Sequence, residues 1–231
     1  MARDFSAVGR ALAAPARSAI VDALMDGSRR PASELAAIAG VRPPAASEHL
    51  AVLVGTGIVA AEASGRRRFY RIADPAIANA LEALGRVTGE LPSTGYTRSR
   101  EASALAEARL CYDHLAGRLG VGLFDAMTER GWLGEGGAVV TEEGRAGFAD
   151  LGIPLEARGS RRPVARPCAD WTERRSHLAG IAGRALAETF LERGWVQRRP
   201  SSRGLRVTEA GATELDERWG VGVGVGERAS A

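Results

Sequence analysis

Through the first 88 residues, apolar positions recur at helical spacing and are punctuated by Pro and Gly. Phe5, Val8 and Leu12 stand at i, i+3 and i+7, which predicts a first helix ending near Ala14-Pro15. Ile20, Val21 and Leu24 share one face of a second helix over about 16–25, stopped by Asp26-Gly27-Ser28. A third helix over 31–38 turns Leu35 and Ile38 inward, and Gly40 supplies the turn after it. Pro43 and Pro44 open a fourth helix, where their missing N–H groups cost nothing. Ala46, Leu50 and Leu53 form its buried side, and Gly55 and Gly57 end it. Residues 58–61 and 68–72 predict a hairpin around Ser64-Gly65. Asp74-Pro75 then caps a further helix with Ile77, Leu81 and Leu84 as its apolar stripe.

Helix, turn, helix and a two-stranded wing tipped by Arg66, Arg67 and Arg68 is the layout of a module that sets one helix into the major groove of duplex DNA. With Leu50 and Leu53 inward, Pro44, Ala45, Ser47 and Glu48 point outward. Ala45 can touch a thymine methyl, Glu48 can accept from cytosine N4, and Ser47 and His49 can donate to phosphate or base edges. His49 is equally suited to a packing role. Arg42, Arg66, Arg67 and Arg68 are the candidates for phosphate or minor groove.

The pattern changes after Glu90. Residues 90–100 are polar and rich in turn formers, and 91–100 is taken as a linker. Beyond it the chain repeats itself. Ala108-Arg109-x-Cys111-x-Asp113 returns as Ala165-Arg166-x-Cys168-x-Asp170, and His114-Leu115-Ala116-Gly117 as His177-Leu178-Ala179-Gly180. Glu129-Arg130-Gly131-Trp132 returns as Glu192-Arg193-Gly194-Trp195, and Val140-Thr141-Glu142-x-Gly144 as Val207-Thr208-Glu209-x-Gly211. Four matched blocks in order imply duplication. The second unit carries six extra residues, Trp171 to Ser176. Each unit reads as a long helix, a Gly-Trp stop, a strand and a short helix, with the two HLAG helices packed closely. The predicted class is mainly α with small β wings (α+β). Residues 1–90 form a winged helix-turn-helix, 101–219 a domain of two helix–strand–helix repeats (about 105–153 and 162–219), and 220–231 a flexible tail.

Composition adds limits. The chain has 231 residues and a net charge of only +3, so the case for nucleic acid rests on the local arrangement and not on bulk charge. All basic side chains other than the three histidines are Arg, the better bidentate partner of phosphate and guanine. No run is apolar enough for a membrane span, and the N-terminus lacks a signal-peptide core. The two cysteines are therefore expected to be reduced, in the cytosol.

Residues 5–88 resemble the ArsR/SmtB family of bacterial winged-helix regulators. Ala11-Leu12-Ala13-x-Pro15-x-Arg17, Glu34-Leu35-Ala36, Ser47-x-His49-Leu50-x-x-Leu53 and Gly65-Arg66-x-x-x-Tyr70 carry the likeness. The resemblance implies a homodimer formed through the first helix and the helix after the wing, in a bacterial cytoplasm. It implies a basic or amide residue in many members where this chain has Glu48. The family's metal sensors often hold a cysteine pair around Glu-Leu, where this chain has Pro31, Ser33 and Ala36; others use Asp and His on the helix after the wing, which here offers Asp74 but no His. Sensing is thereby directed to the duplicated half. The chain as a whole is also similar to regulators that follow a winged helix with CYDH-like and CxDWxERxxHLAG-like motifs, a likeness that names no ligand.

The soft or titratable donors of the duplicated half sit at matched places: Cys111, Asp113 and His114 in one copy, Cys168, Asp170 and His177 in the other, with Glu173 besides. If helical, Cys111 and His114 lie one turn apart and Glu173 and His177 share a face. Such donors suit a thiophilic metal ion or a haem. Helix caps at Asp113 and Asp170-x-x-Glu173, buried thiols, and an organic ligand among Trp132, Trp171 and Trp195 stand as alternatives. The function expected is a DNA-binding repressor, not an enzyme, released from its operator by an effector or metal in the C-terminal domain. Two rivals are an enzyme that resembles organomercurial lyase and uses paired Cys and Asp, and a partner-binding protein without DNA contact.

Overall fold

A computed structural model describes residues 5–65, 67–85, 87, 96–155, 162–200 and 202–224, with backbone alone for 96–101. It divides into two units, Met1–Ala80 with Pro200–Arg203, and Leu81–Arg199 with Gly204–Ala231.

In the first unit α1 (Ser6–Leu12) is followed by α2 (Pro15–Leu24) with Pro15 in its first turn. Arg17 locks the corner between them by donating to the Ala11 and Arg10 carbonyls at 2.5 and 2.7 Å, so the last turn of α1 does not leave those acceptors bare. A two-residue strand, β1 (Arg30–Pro31), leads into α3 (Ala32–Ile38), and α4 (Pro43–Gly55) follows after the Gly40 turn. The wing is β2 (Val59–Ser64) and β3 (Arg67–Ile72), antiparallel with Ser64 opposite Arg67; β1 adds to the other edge of β3. Ile20, Leu24, Leu35, Leu50, Leu53 and Ile72 are the buried centre, as their spacing predicts. The β1 edge is absent from the sequence pattern, because two residues cannot show alternation. Arg30 holds it, buried and ion-paired with Asp26 at 2.8 Å and with Glu34. The helix after the wing is α5 (Pro75–Gly85), whose start is capped by Asp74 accepting from Ala76 N–H at 2.7 Å.

The second unit departs from its sequence reading at three places. First, α6 (Tyr96–Glu107) takes up the second half of the expected linker, 96–100; residues 91–95 lie outside the described ones. Second, each repeat opens as a hairpin, not a helix: β4 (Arg109–Cys111) pairs with β5 (His114–Ala116), and further on β8 (Arg166–Ala169) pairs with β9 (Ser176–Ala179). Between the hairpins come α7 (Gly117–Glu129), β6 (Leu133–Gly134), β7 (Val139–Val140) and α8 (Glu142–Asp150). After β9 come α9 (Gly180–Glu192), β10 (Val196–Arg198), β11 (Leu205–Val207) and α10 (Glu209–Glu214), continued by a π-helical turn over Leu215–Trp219. The order is therefore hairpin, helix, strand pair, short helix, twice, in place of two helix–strand–helix units. Third, the start of the expected tail is packed: Val221 is buried against Gly122, and its N–H donates to the Leu215 carbonyl at 3.0 Å, while 225–231 lie outside the described residues.

The matched blocks have matched work. Gly131 and Gly194 take positive φ just after α7 and α9, and the following Trp N–H closes back on the helix at 2.8 and 3.0 Å. Thr141 and Thr208 each cap the next helix by accepting from Gly144 and Gly211 N–H at 3.0 Å. A Cβ on Gly144 or Gly211 would lie 2.3 or 2.0 Å from a Trp carbonyl oxygen, so only Gly fits.

Candidate functional site

The outer face of α4 is exposed at Arg42, Ser47 and Glu48, with Ala45 half-buried at its edge. Ser47 Oγ donates to the Pro43 carbonyl at 3.1 Å, which leaves its lone pairs outward. His49 is half-buried, with Nδ1 3.5 Å from an Arg17 guanidinium nitrogen, a contact inside the module. Arg67 and Arg68 are exposed at the wing tip, and Arg66 lies outside the described residues. Phe5, Val8 and Leu84 are 74%, 39% and 47% exposed, leaving apolar surface on α1 and α5 uncovered within a single chain.

A second constellation is buried in the C-terminal unit. Cys111 and His114 face each other across β4–β5, and Cys168 and His177 across β8–β9. One donor atom from each of these four buried residues lies within 4.8 Å of every other. The imidazoles are 5.1 Å apart, centroid to centroid. Neither cysteine is in a disulfide. Packing is reciprocal: α7 brings Gly120 against His177, and α9 brings Gly183 against His114, where an added Cβ would lie 3.4 and 3.3 Å from the histidine Cβ. The expected close contact of HLAG helices is thus replaced by each helix lying on the other copy's hairpin, because His-Leu-Ala is strand and only the Gly begins the helix. Gly117 and Gly180 make that switch with φ of +74° and +88°.

The carboxylates stand behind the histidines and outside the donor group. Asp113 Oδ1 is 3.2 Å from His114 Nδ1, and Arg162 pairs with the same carboxylate. Asp170 Oδ2 lies 3.0 Å from His177 Nδ1, within ion-pair range but off the line of a hydrogen bond. Asp170 also accepts from Arg109 at 2.9 Å, from Gly117 N–H at 2.8 Å and from the Thr172 hydroxyl at 2.7 Å. Glu173 joins neither group; its N–H donates to Asp170 in the turn before β9, so the pairing of Glu173 and His177 on one helical face does not form. Burial alone would raise both aspartates; His114 with Arg162, and His177 with Arg109, outweigh it and hold each well below the ordinary carboxylate range. The Cys111 thiol, against the effect of burial and with help from the imidazoles, draws the Cys168 thiol far below its ordinary range. Burial works against protonated His177, but Asp170 and Cys168 raise it.

Sequence reasoning missed Arg109. It is fully buried and joins Asp170 to Glu82 of α5, 2.8 Å away, over the ring of Trp171. Its place in a matched Ala-Arg-x-Cys block was the available signal. The tryptophans do not gather around one pocket. Trp132 packs on Phe148 and Trp219, Trp195 on Phe190, and Trp171 lies under Arg109.

A helix-turn-helix with an exposed second helix and a basic wing defines a winged helix-turn-helix module. Residues 14–61 match the family model described as bacterial regulatory protein, arsR family. The chain is 40% identical over 213 residues to the uncharacterized HTH-type transcriptional regulator YdfF of Bacillus subtilis (strain 168), covering 91% of this chain and 94% of that one. It is 44% identical over 80 residues to the HTH-type transcriptional regulator CmtR of Mycobacterium tuberculosis (strain H37Rv), covering 35% of this chain and 67% of the relative. The solution structure of the cadmium metal-sensor CmtR from Mycobacterium tuberculosis matches 39% of this chain and 98% of that chain, with 37% identity and a TM-score of 0.31. This chain belongs to the ArsR/SmtB family and is a transcriptional regulator. The lyase reading is set aside, since these relatives are regulators and not enzymes. No helix among the described residues is long and apolar enough to cross a membrane.

Proposed function

We propose that the protein is a homodimeric repressor of the bacterial cytoplasm, released from an inverted-repeat operator when a thiophilic effector binds Cys111, His114, Cys168 and His177. The observation that carries this reading is the convergence of four buried soft donors, within 4.8 Å of one another, in a regulator whose winged helix contains no cysteine. Arg42, Ala45, Ser47, Glu48 and His49 line the face offered to the major groove, with His49 held by Arg17. Arg66, Arg67 and Arg68 meet phosphate or minor groove. Phe5, Val8 and Leu84, exposed in one chain, supply apolar surface for the dimer.

The coupling route is a chain of buried charges. Asp170 joins His177 to Arg109, and Arg109 reaches Glu82 on α5, the helix that follows the wing. A ligand that draws His177 forward changes what Asp170 offers Arg109. Release requires the ligand to favour the non-binding state, and moving a regulator from mostly bound to mostly free takes several kcal/mol. Thiolate–metal bonds supply that more readily than a weakly held metabolite.

A promoter–reporter strain tests the proposal. The Cys111→Ser/Cys168→Ser double mutant is expected to repress normally and to lose induction by thiophilic ions. Normal induction in a repressing double mutant would overturn the effector assignment.

A further inference from the structure

The donor set of the buried cluster is specific enough to name its occupant by class. We infer that Cys111 Sγ, Cys168 Sγ, His114 Nε2 and His177 Nε2 form a closed, four-coordinate site for one zinc-class divalent ion per chain. Asp113 and Asp170 are positioning residues that orient the two imidazoles. The inference rests on the proposed effector reading only for its regulatory meaning, not for the site itself.

Three independent observations support it. The first is dimension. Zn–S bonds of about 2.3 Å and Zn–N bonds of about 2.0–2.1 Å put the corners of a tetrahedron roughly 3.3–3.8 Å apart. The four donors already lie within 4.8 Å of one another, so closing on an ion needs shifts of about an ångström or less. The second is unmet valence. Nε2 of His114 and Nε2 of His177 are buried without a hydrogen-bond partner, an expensive condition for a polar atom. In each ring the other nitrogen faces an aspartate, at 3.2 and 3.0 Å, which is the carboxylate–histidine arrangement that fixes the tautomer of a metal ligand. The third is charge. Two thiolates neutralise a divalent ion, so the filled site carries no net charge into an interior that would not tolerate one.

The same geometry decides among ions and cofactors. A hard ion such as Mg²⁺ or Ca²⁺ wants oxygen, and both nearby carboxylates are engaged by His and Arg. A haem would have to slide a flat macrocycle between donors that converge on one point. Cys111, His114, Cys168 and His177 are 4% exposed or less, the small side chains of Ala116 and Ala179 pack around the cysteines, and Gly120 and Gly183 bring α7 and α9 down on the histidines. Because each hairpin contributes one Cys and one His, the ion ties the two repeats together as a staple.

The test uses the full-length chain, reduced, stripped with chelator and titrated with Co²⁺. The expected result is one Co²⁺ per chain with intense visible bands of a tetrahedral ion and near-ultraviolet thiolate charge transfer, both bleached by Zn²⁺. Cys111→Ser/Cys168→Ser should abolish the charge transfer. Asp170→Asn and Asp113→Asn, which keep all four ligands, should each weaken binding about 10–100-fold while the tetrahedral spectrum persists. Weak octahedral bands, one ion per two chains, or a spectrum unchanged in the cysteine mutant would overturn the site. Should the cysteine mutant fail to fold, X-ray absorption of the wild-type zinc protein decides: two sulfur and two nitrogen neighbours support the site, and any other shell refutes it. Operator affinity measured on the same samples separates the two proposals. A tetrahedral site that leaves DNA binding unchanged keeps the site and removes the release mechanism; DNA release by metal without that spectrum does the reverse.

Discussion

Replacing Arg109 by Met removes the charge at the centre of the C-terminal unit while keeping most of the side chain's volume. Arg109 donates to Glu82 at 2.8 Å, Asp170 at 2.9 Å, the Thr172 hydroxyl at 3.0 Å and the Leu105 carbonyl at 3.2 Å. Glu82 and Asp170 are 2% and 0% exposed, so neither can turn to water for compensation. Removing one partner of a buried ion pair costs about 3–5 kcal/mol, and the missing cation over the Trp171 ring adds about 0.5–2 kcal/mol. Asp170 keeps the Gly117 and Thr172 donors, and the substitution takes from Glu82 its 2.8 Å ion pair with Arg109. The double mutant Arg109→Met/Glu82→Gln should therefore recover about 1–3 kcal/mol relative to the sum of the single mutants. Urea unfolding followed by tryptophan fluorescence measures this selectively, because all four tryptophans, Trp132, Trp171, Trp195 and Trp219, lie in the C-terminal unit. A single-mutant destabilisation below about 1 kcal/mol, the scale of an exposed ion pair, would refute the buried network and with it the route from His177 to α5.

Gly183→Ala sets a Cβ 2.2 Å from the Leu178 carbonyl oxygen and 3.3 Å from His114 Cβ, so it should destabilise the same unit by about 1–3 kcal/mol and weaken Co²⁺ binding; unaltered unfolding would contradict the packing of α9 on β5. Arg66→Ala/Arg67→Ala/Arg68→Ala should weaken every duplex and flatten the log–log salt dependence by about 0.9 for each phosphate that is no longer neutralised; an unchanged slope would remove the wing from the interface. Leu81→Glu should turn the dimer into a monomer in sedimentation, and a mutant that stays dimeric would move the interface off α5.

Much of the DNA-binding half was legible because its signals are long. Residues 43–55 repeat apolar side chains over three turns between Pro and Gly, and the wing hairpin is marked by its turn at Ser64-Gly65. The hairpins of the C-terminal half were not legible, because Arg109–Cys111 and His114–Ala116 are three residues each and show no period. The helix expected to run through these segments begins only at Gly117. The polar, turn-rich run 90–100 masked the start of α6 at Tyr96 for the opposite reason, composition outweighing a weak pattern. The four donors were found through duplication, yet their geometry was misjudged. Cys111 and His114 meet as cross-strand partners around a two-residue turn with Tyr112 at φ +62°, not as neighbours on a helix. The aspartates share the donors' chemistry but are turned away by Arg162 and Arg109, partners too distant in sequence for spacing to reveal.

The most direct test of the account is an operator-binding isotherm, by fluorescence anisotropy, of the reduced full-length protein on its own promoter fragment at fixed salt, metal-free and loaded with one equivalent of Zn²⁺ or Cd²⁺. The account predicts tight, salt-dependent binding by the metal-free dimer and a large drop in affinity on loading, absent in Cys111→Ser/Cys168→Ser. Equal affinity of the metal-free and loaded protein, with one ion bound per chain, would contradict it.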